Sequence, residues 1–143
     1  MSKAVMLSIR PKWCEKIVNG NKTIEVRKTR PKMDTPFKCY IYCTLPKYPH
    51  EDFIATDYPK PQFYGGGKVI GEFTCDRIYE LETKARGGSY YVKNEDQPTT
   101  NFIARWSCLD LKDMHDYLHA QTGYGWHITD PQSWCYVEAM DNG

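Results

Sequence analysis

The sequence predicts an α+β domain built around a small curled sheet or barrel. The chain has 143 residues, whereas chains usually divide into several domains only beyond roughly 250 residues. Its apolar residues form several short alternating segments, which are typical of strands, but only two segments with helical spacing. A doubly wound sheet needs a helix after almost every strand, so that class is excluded. We therefore expect residues 1–143 to form a single domain.

The first third of the chain is predicted to form a strand, a helix and two further strands. Pro11 fits the first turn of a helix, because its missing N–H would have no partner there. Gly20 can close that helix in the left-handed conformation without a side-chain clash. Later segments alternate with period two, as strands do. The predicted elements are a strand at 4–9, a helix at 12–19, and strands at 23–28 and 37–44.

Proline and glycine interrupt the middle of the chain. Residues 45–67 contain four prolines and three successive glycines, which predict an extended loop insert with one helical turn at 51–55. Gly71 lies within an apolar run and indicates a bulge or a close backbone approach. Asp110 is a candidate N-cap. The remaining predicted elements are a bent strand at 68–79, a polar loop at 82–100 with a short strand at 89–92, a helix at 111–121, and strands at 124–129 and 136–138.

The composition excludes a disordered chain and predicts a cytoplasmic protein. Hydrophobic residues make up 41% of the chain and charged residues 26%, close to the averages of globular domains. No apolar run approaches the ~20 residues of a membrane helix, and the first residues lack the apolar stretch of a signal peptide. The six cysteines contain no C-x-x-C pair, which favours small buried side chains over disulfides or a zinc knuckle. We therefore expect no membrane partner.

Positive charge is concentrated in the first forty residues, although the whole chain has a net charge of only +1. Residues 1–40 contain ten Lys and Arg against three Asp and Glu, a local net charge of +7, whereas the rest of the chain has −6. A basic third on one side of a domain is the electrostatic footprint of a nucleic-acid or phosphate binder. An ordinary solvated face of lysines is the alternative.

One segment, Gly-Asn-Lys-Thr-Ile-Glu-Val-Arg, brings three charged residues to the point where a glycine turn meets a strand. Because alternate residues of the strand point to the core, Glu25 and Arg27 share the other face. Lys22 would be costly on the core face, so it must lie in the turn before regular pleating begins. Arg27 can offer a planar fork to a phosphate or a base edge, and Glu25 can accept from an exocyclic amine. A purely structural ion cluster is the alternative.

This segment fits the pattern G-x-K-x-x-E-x-R, and in its context of helix, glycine turn and strand it resembles the ASCH domain family. The first forty-odd residues and the later Gly-Tyr-Gly-Trp-His-Ile at 123–128 carry the resemblance. It implies the fold of the PUA-like superfamily, a small β-barrel of about five to six strands flanked by two main helices. It also implies that the ligand is RNA or a nucleotide-like molecule, bound in a basic cleft built on the motif.

The same resemblance implies an enzymatic alternative. Some small ASCH members resemble amidohydrolases that remove the acetyl group of N4-acetylcytidine, and others have been regarded as ribonucleases. In such a hydrolase Lys22 would be the reactive group and Glu25 its catalytic partner. The amidohydrolase-like members have a threonine where this chain has Glu25, so the chain keeps the lysine and departs at the next functional position.

Other residues extend the predicted binding site. Lys28, Arg30 and Lys32 continue a basic track that would follow a nucleic-acid backbone. Tyr64 lies beside three glycines, and an exposed ring there would stack on an unpaired base.

The histidines allow one further site prediction and one exclusion. Trp126 and His127 point to opposite faces of a predicted strand; Trp126 is the natural core residue, so His127 would face the basic cleft or solvent. His115 and His119 nearly match the zinc-protease pattern, but that pattern needs Glu where this chain has Asp116. We therefore predict no metal and no cofactor. The oligomeric state is left open.

Overall fold

The structure is a computed structural model, and it describes residues 3–48, 53–54, 63–83, 88–93 and 100–133. Eight strands and three helices form within these ranges. In chain order they are β1 (Ala4–Ile9), α1 (Pro11–Val18), β2 (Ile24–Arg27), β3 (Phe37–Cys43), β4 (Phe53–Ile54), β5 (Phe63–Tyr64), β6 (Lys68–Thr83), β7 (Tyr90–Val92), α2 (Thr100–Ser107), α3 (Leu111–Leu118) and β8 (Gly123–Ser133).

The first four elements are confirmed with small differences at their ends. Arg10 is extended and precedes Pro11, so α1 begins with the proline in its first turn, as predicted. Gly20 has a φ angle of +78°, which a residue with a side chain rarely adopts. Strand β3 alternates buried and more exposed residues along its length, as its sequence predicted.

Six strands form one mixed sheet, and it is not closed into a barrel. The hydrogen-bonded order is β1-β3-β6-β8-β2, with β7 paired to β6, while β4 and β5 form a separate ladder. Strands β1 and β3 are parallel, and β2 and β8 are antiparallel. The predicted barrel is therefore wrong, because closure requires the first and last strands of this order to pair, and β1 and β2 do not pair within the described residues. Alternation identifies strands but not their partners.

Contacts group the chain into two compact units, each assembled from separate segments. Unit 1 comprises Met1–Asn21, Phe37–Thr74 and Thr129–Gly143, and unit 2 comprises Lys22–Pro36 and Cys75–Ile128. In unit 1 the buried residues include three cysteines and two isoleucines of α1 and β3, namely Cys14, Ile17, Cys39, Ile41 and Cys43. The buried cysteines agree with the prediction of small core side chains; Cys135 lies outside the described residues.

Unit 2 is built around a core to which β2, β6, β7, α2 and α3 all contribute. Its buried apolar members are Ile24, Val26, Leu81, Tyr90, Val92, Ile103, Met114 and Leu118. Helix α2, which packs on β2, was not predicted. The helical spacing of Phe102, Ile103 and Trp106 was the available signal, but the preceding polar and proline-containing residues were interpreted as one long loop.

Helix α3 begins as predicted and ends earlier than predicted. The Asp110 carboxylate accepts from the Asp113 backbone N–H at 2.8 Å, and the Asp113 carboxylate accepts from the Asp110 N–H at 3.3 Å, which forms a capping box. His119 adopts a left-handed φ of 53° and ends the helix, so the predicted continuation to residue 121 is wrong. None of the helices in the described ranges is long and apolar enough to cross a membrane.

Gly71 confirms the predicted close backbone approach. A Cβ atom there would lie 2.1 Å from the backbone oxygen of Gln132 in β8, so only glycine fits without a backbone shift. Residues 53–54 of the loop insert form a short strand rather than a helical turn. The predicted strand at 136–138 lies outside the described residues.

Candidate functional site

The turn before β2 is fixed by backbone hydrogen bonds on both sides. The Thr23 N–H donates to the carbonyl of Trp106 at 2.7 Å, and the Thr23 carbonyl accepts from the Ile128 N–H at 2.8 Å. These bonds join the turn to α2 and to β8. Lys22 therefore lies in the turn and precedes the pleated residues Ile24–Arg27, as the sequence predicted.

Lys22 is buried, with 1% of its side chain exposed. Its Nζ donates to the backbone carbonyl of Ser107, the last residue of α2, at 2.5 Å and lies 3.5 Å from the Glu25 carboxylate. The carbonyls at the end of a helix lack partners within the helix and carry partial negative charge, so they stabilise a buried ammonium. Lys22 thus holds α2 and β2 together through one carbonyl and one carboxylate.

Glu25 is shared between two cations, and Arg27 is the exposed member of the cluster. The Glu25 Oε2 accepts from Arg27 Nη1 at 3.3 Å, while its Oε1 faces Lys22. The Glu25 side chain is 8% exposed and that of Arg27 is 28% exposed. The three predicted groups therefore converge. Of the three side chains, only that of Arg27 both pairs within the cluster and has substantial contact with solvent.

The strand register places Trp126, and not His127, beside this cluster. Glu25 pairs with Trp126 and Ile24 pairs with His127, so Trp126 shares the face of Glu25 and Arg27. The indole is buried, and its Nε1 donates to the Thr29 carbonyl at 3.3 Å. Alternation correctly separated Trp126 from His127, but the face that each takes depends on the pairing with β2, which the sequence does not reveal.

His127 lies with Asp76 on the other face of the β2–β8 pair. Its Nδ1 is 2.6 Å from the Asp76 carboxylate, and its ring meets that of Tyr79 edge-on with the centroids 6.3 Å apart. The side chains of His127 and Asp76 are 30% and 45% exposed. The structure does not bring His127 to the charged cluster of Lys22, Glu25 and Arg27; its partner Asp76 lines a cleft elsewhere in unit 2.

The predicted basic track lies near aromatic rings and a cleft of unit 2. The Lys28 ammonium is 5.0 Å from the ring centroid of Tyr117. Arg30 pairs with Glu80 at 3.3 Å and lies over the ring of Tyr124 at 5.5 Å. A cleft of about 390 Å³ follows this track and is lined by nine residues, among them Arg30, Lys32, Asp34, Asp76 and Arg77. Arg77 is a basic residue of the cleft that the sequence analysis missed, because it is distant in the chain.

Tyr64 forms β5, where its backbone pairs with Phe53 of β4. Its side chain is outside the described part of the structure, so the predicted stacking role stays a prediction.

The two histidines of the metal alternative do not share a site. His115 Nε2 lies 2.6 Å from the carbonyl of Gly88, whereas His119 is exposed at the left-handed end of the helix, where helical spacing no longer applies. Across the described ranges, no group of three or more His, Cys, Asp or Glu side chains is placed to hold a metal ion.

Comparisons with known proteins show which family the chain resembles. The sequence model of the ASCH domain matches residues 7–42, which include Lys22, Glu25 and Arg27. No curated protein sequence matches the chain. The crystal structure of an ASCH protein from Zymomonas mobilis is similar in fold, with a TM-score of 0.57 and 18% identity, covering 92% of this chain and 70% of that one.

Structures of two mutants of the Zymomonas mobilis protein are similar to the same degree. The structure of its serine-to-alanine mutant aligns with this chain at a TM-score of 0.60 and 18% identity. The alignment covers 92% of this chain and 70% of the mutant's chain. Its tyrosine-to-phenylalanine mutant has a TM-score of 0.60 at 17% identity, with 92% and 72% covered. At such identities the likeness concerns the fold. The resemblance to the ASCH domain family is thus confirmed, by the family model over residues 7–42 and by the fold of solved ASCH structures.

Proposed function

We propose that this chain is an RNA- or nucleotide-binding protein of the cytosol that uses the basic surface beginning at its G-x-K-x-x-E-x-R motif. The observation that carries the proposal is the arrangement of Lys22, Glu25 and Arg27. The buried Lys22 ammonium contacts the Glu25 carboxylate, and that carboxylate pairs with the partly exposed guanidinium of Arg27.

This arrangement prepares Arg27 for an anionic or polar ligand. A free arginine loses rotamer entropy on binding, about 1 kcal/mol for an immobilised side chain, and the hydrogen bond to Glu25 reduces that loss. Because Glu25 balances only one of its two cations, the cluster retains one positive charge. The planar shape of the guanidinium suits it to a phosphate or a base edge.

The neighbouring cations extend the site along unit 2. Lys28 and Arg30 each lie over a tyrosine ring, and Arg30, Lys32 and Arg77 line the cleft of about 390 Å³. A track of cations interleaved with aromatic rings fits a phosphate backbone with unpaired bases. Tyr64 and His127 are kept in this proposal as additional contacts predicted from the sequence.

The hydrolase alternative receives less support from the same geometry. A reactive lysine must reach a substrate, but Lys22 is 1% exposed and is held by a carbonyl and a carboxylate. Incubating the protein with N4-acetylcytidine, and separately with short RNAs, tests the alternative directly. We expect no product by chromatography; turnover that disappears in Lys22→Ala would replace binding with hydrolysis as the function.

Binding is tested by the fluorescence anisotropy of a labelled oligouridylate titrated with the full chain at several salt concentrations. Affinity should fall steeply with salt, because each neutralised phosphate of a single strand contributes about −0.7 to the slope of log K against log salt. The triple variant Lys28→Ala, Arg30→Ala, Lys32→Ala should flatten that slope by about 2. Absence of binding at low salt, or affinity independent of salt, would refute the proposal.

The role of Arg27 is tested by a substitution that keeps its positive charge and removes the planar guanidinium. Arg27→Lys keeps the positive charge and loses the planar fork, so it should weaken binding by about fivefold while leaving the salt slope unchanged. Wild-type affinity in both Arg27→Lys and Arg27→Ala would exclude this residue from the site.

A further inference from the structure

A second basic cleft opens in unit 1, where two parallel strands end side by side. Ile9 of β1 is aligned with Cys43 of β3, and the Thr44 N–H donates to the Ile9 carbonyl at 2.9 Å. The residues that follow the two strands therefore lie at one edge of the sheet. A cleft of about 850 Å³ is formed there, which we call the β1–β3 cleft. Its charged lining residues are Arg10, Lys12, Glu15 and Lys47.

The three cations of the β1–β3 cleft are available to an external anion. Arg10, Lys12 and Lys47 are all exposed. None of them forms an ion pair with any residue in the described ranges, whereas Lys38 of the same unit pairs with Glu72 at 2.9 Å. With one carboxylate against three cations, the lining has a net charge of +2. Such a concave cationic surface concentrates anions from solution.

Exposed apolar and aromatic side chains accompany these charges. Leu45, which lines the cleft, is 73% exposed, and Tyr48, which follows Lys47, is 57% exposed. The Lys47 ammonium lies 5.4 Å from the centroid of the Tyr48 ring. Cations alone would accept any polyanion, but a flat ring beside them can also receive the face of a nucleobase.

We propose that the β1–β3 cleft binds a segment of single-stranded nucleic acid, with phosphates on Arg10, Lys12 and Lys47 and a base against Tyr48. The cleft contains no residue of the motif cluster, since Lys22, Glu25 and Arg27 belong to unit 2. This contact is therefore additional to the site proposed above and does not depend on it.

The test compares two triple variants that remove the same amount of charge. Arg10→Ala, Lys12→Ala, Lys47→Ala empties the cleft of cations, and Lys38→Ala, Lys93→Ala, Lys112→Ala removes cations that pair with acidic neighbours. Binding of an oligouridylate of about 12 nucleotides is measured by anisotropy. In the cleft variant the slope of log K against log salt should be shallower by about 2. Between 50 and 200 mM salt its affinity should therefore fall by a factor roughly 20 times smaller than that of the wild type. The control variant should keep the wild-type slope.

Tyr48 tests the base contact separately from the charges. Tyr48→Ala should weaken oligouridylate binding by about tenfold without changing the salt slope, and Tyr48→Phe should bind normally. Heparin, which has charge and no bases, should bind Tyr48→Ala as well as wild type. Three results would overturn the proposal. They are equal losses of oligouridylate affinity in the two triple variants, competition by duplex RNA as strong as by single-stranded RNA, or an unchanged affinity of Tyr48→Ala for oligouridylate.

The unit 2 variant keeps the two proposals distinguishable. If Lys28→Ala, Arg30→Ala, Lys32→Ala abolishes binding and the cleft variant does not weaken it, the β1–β3 cleft is rejected and the motif site stands. The opposite result rejects the motif site and supports the cleft.

Discussion

Replacing Lys22 with methionine measures whether its ammonium is a structural element of the fold. Lys22→Met keeps most of the side-chain volume but leaves the Ser107 carbonyl without its donor and Glu25 with one cation fewer. Removing one partner of a buried ion pair costs about 3–5 kcal/mol. We expect a loss near 3 kcal/mol, the lower end of that range, because Arg27 still neutralises Glu25 at 3.3 Å.

The loss is measured by urea unfolding and by the thermal midpoint. For a chain of this size, 3 kcal/mol corresponds to a fall in the thermal midpoint of about 6–12 °C. Lys12→Met, an exposed lysine of α1, is the matched control and should stay within about 0.5 kcal/mol of wild type.

A double-mutant cycle assigns the cost to the ion pair. Lys22→Met combined with Glu25→Gln should cost less than the sum of the single variants, by about 1–2 kcal/mol, since the second change removes the carboxylate left short of a partner. If Lys22→Met is as stable as the wild type, the reasoning is refuted. That result would mean that the Lys22 ammonium is solvated, since removing a solvated ammonium changes the free energy of unfolding very little.

Two further predictions concern α3 and Cys75. Asp110→Ala removes the capping box and should lower stability by about 1 kcal/mol in urea unfolding, whereas Asp116→Ala, exposed on the same helix, should leave the midpoint nearly unchanged; equal effects would contradict the cap. Burial raises the pKa of the Cys75 thiol from 9.0 to about 11, so the folded state disfavours the thiolate. Stability from this group is complete below pH 9.0 and is lost as pH rises towards about 11. Cys75→Ala should therefore reduce the fall in unfolding free energy measured across that interval, and an unchanged pH profile would show that Cys75 is not its source.

The local elements near the motif were predictable because their signals are local. Proline at the start of α1, glycine after it and alternation in β2 and β3 each act over a few residues. The place of Lys22 in the turn was predicted as well, but its burial was not, because the prediction rested on the cost of burying an ammonium. The capping box of α3 belongs to the same class, since Asp110 and Asp113 are three residues apart.

The rest depends on contacts between distant segments, which the sequence alone does not specify. The carbonyl that holds Lys22 belongs to Ser107, at the end of a helix that was not predicted. The face taken by Trp126 and His127 is decided by the register of β8 against β2. Closure of the sheet likewise depends on which strands pair, and the same alternation is compatible with an open sheet or a barrel.

The sharing of Glu25 between two cations limits which residues position 25 can accept. A neutral residue at position 25, such as threonine, would leave the buried Lys22 ammonium without its carboxylate. One change at a single position of β2 would then leave an uncompensated charge inside unit 2.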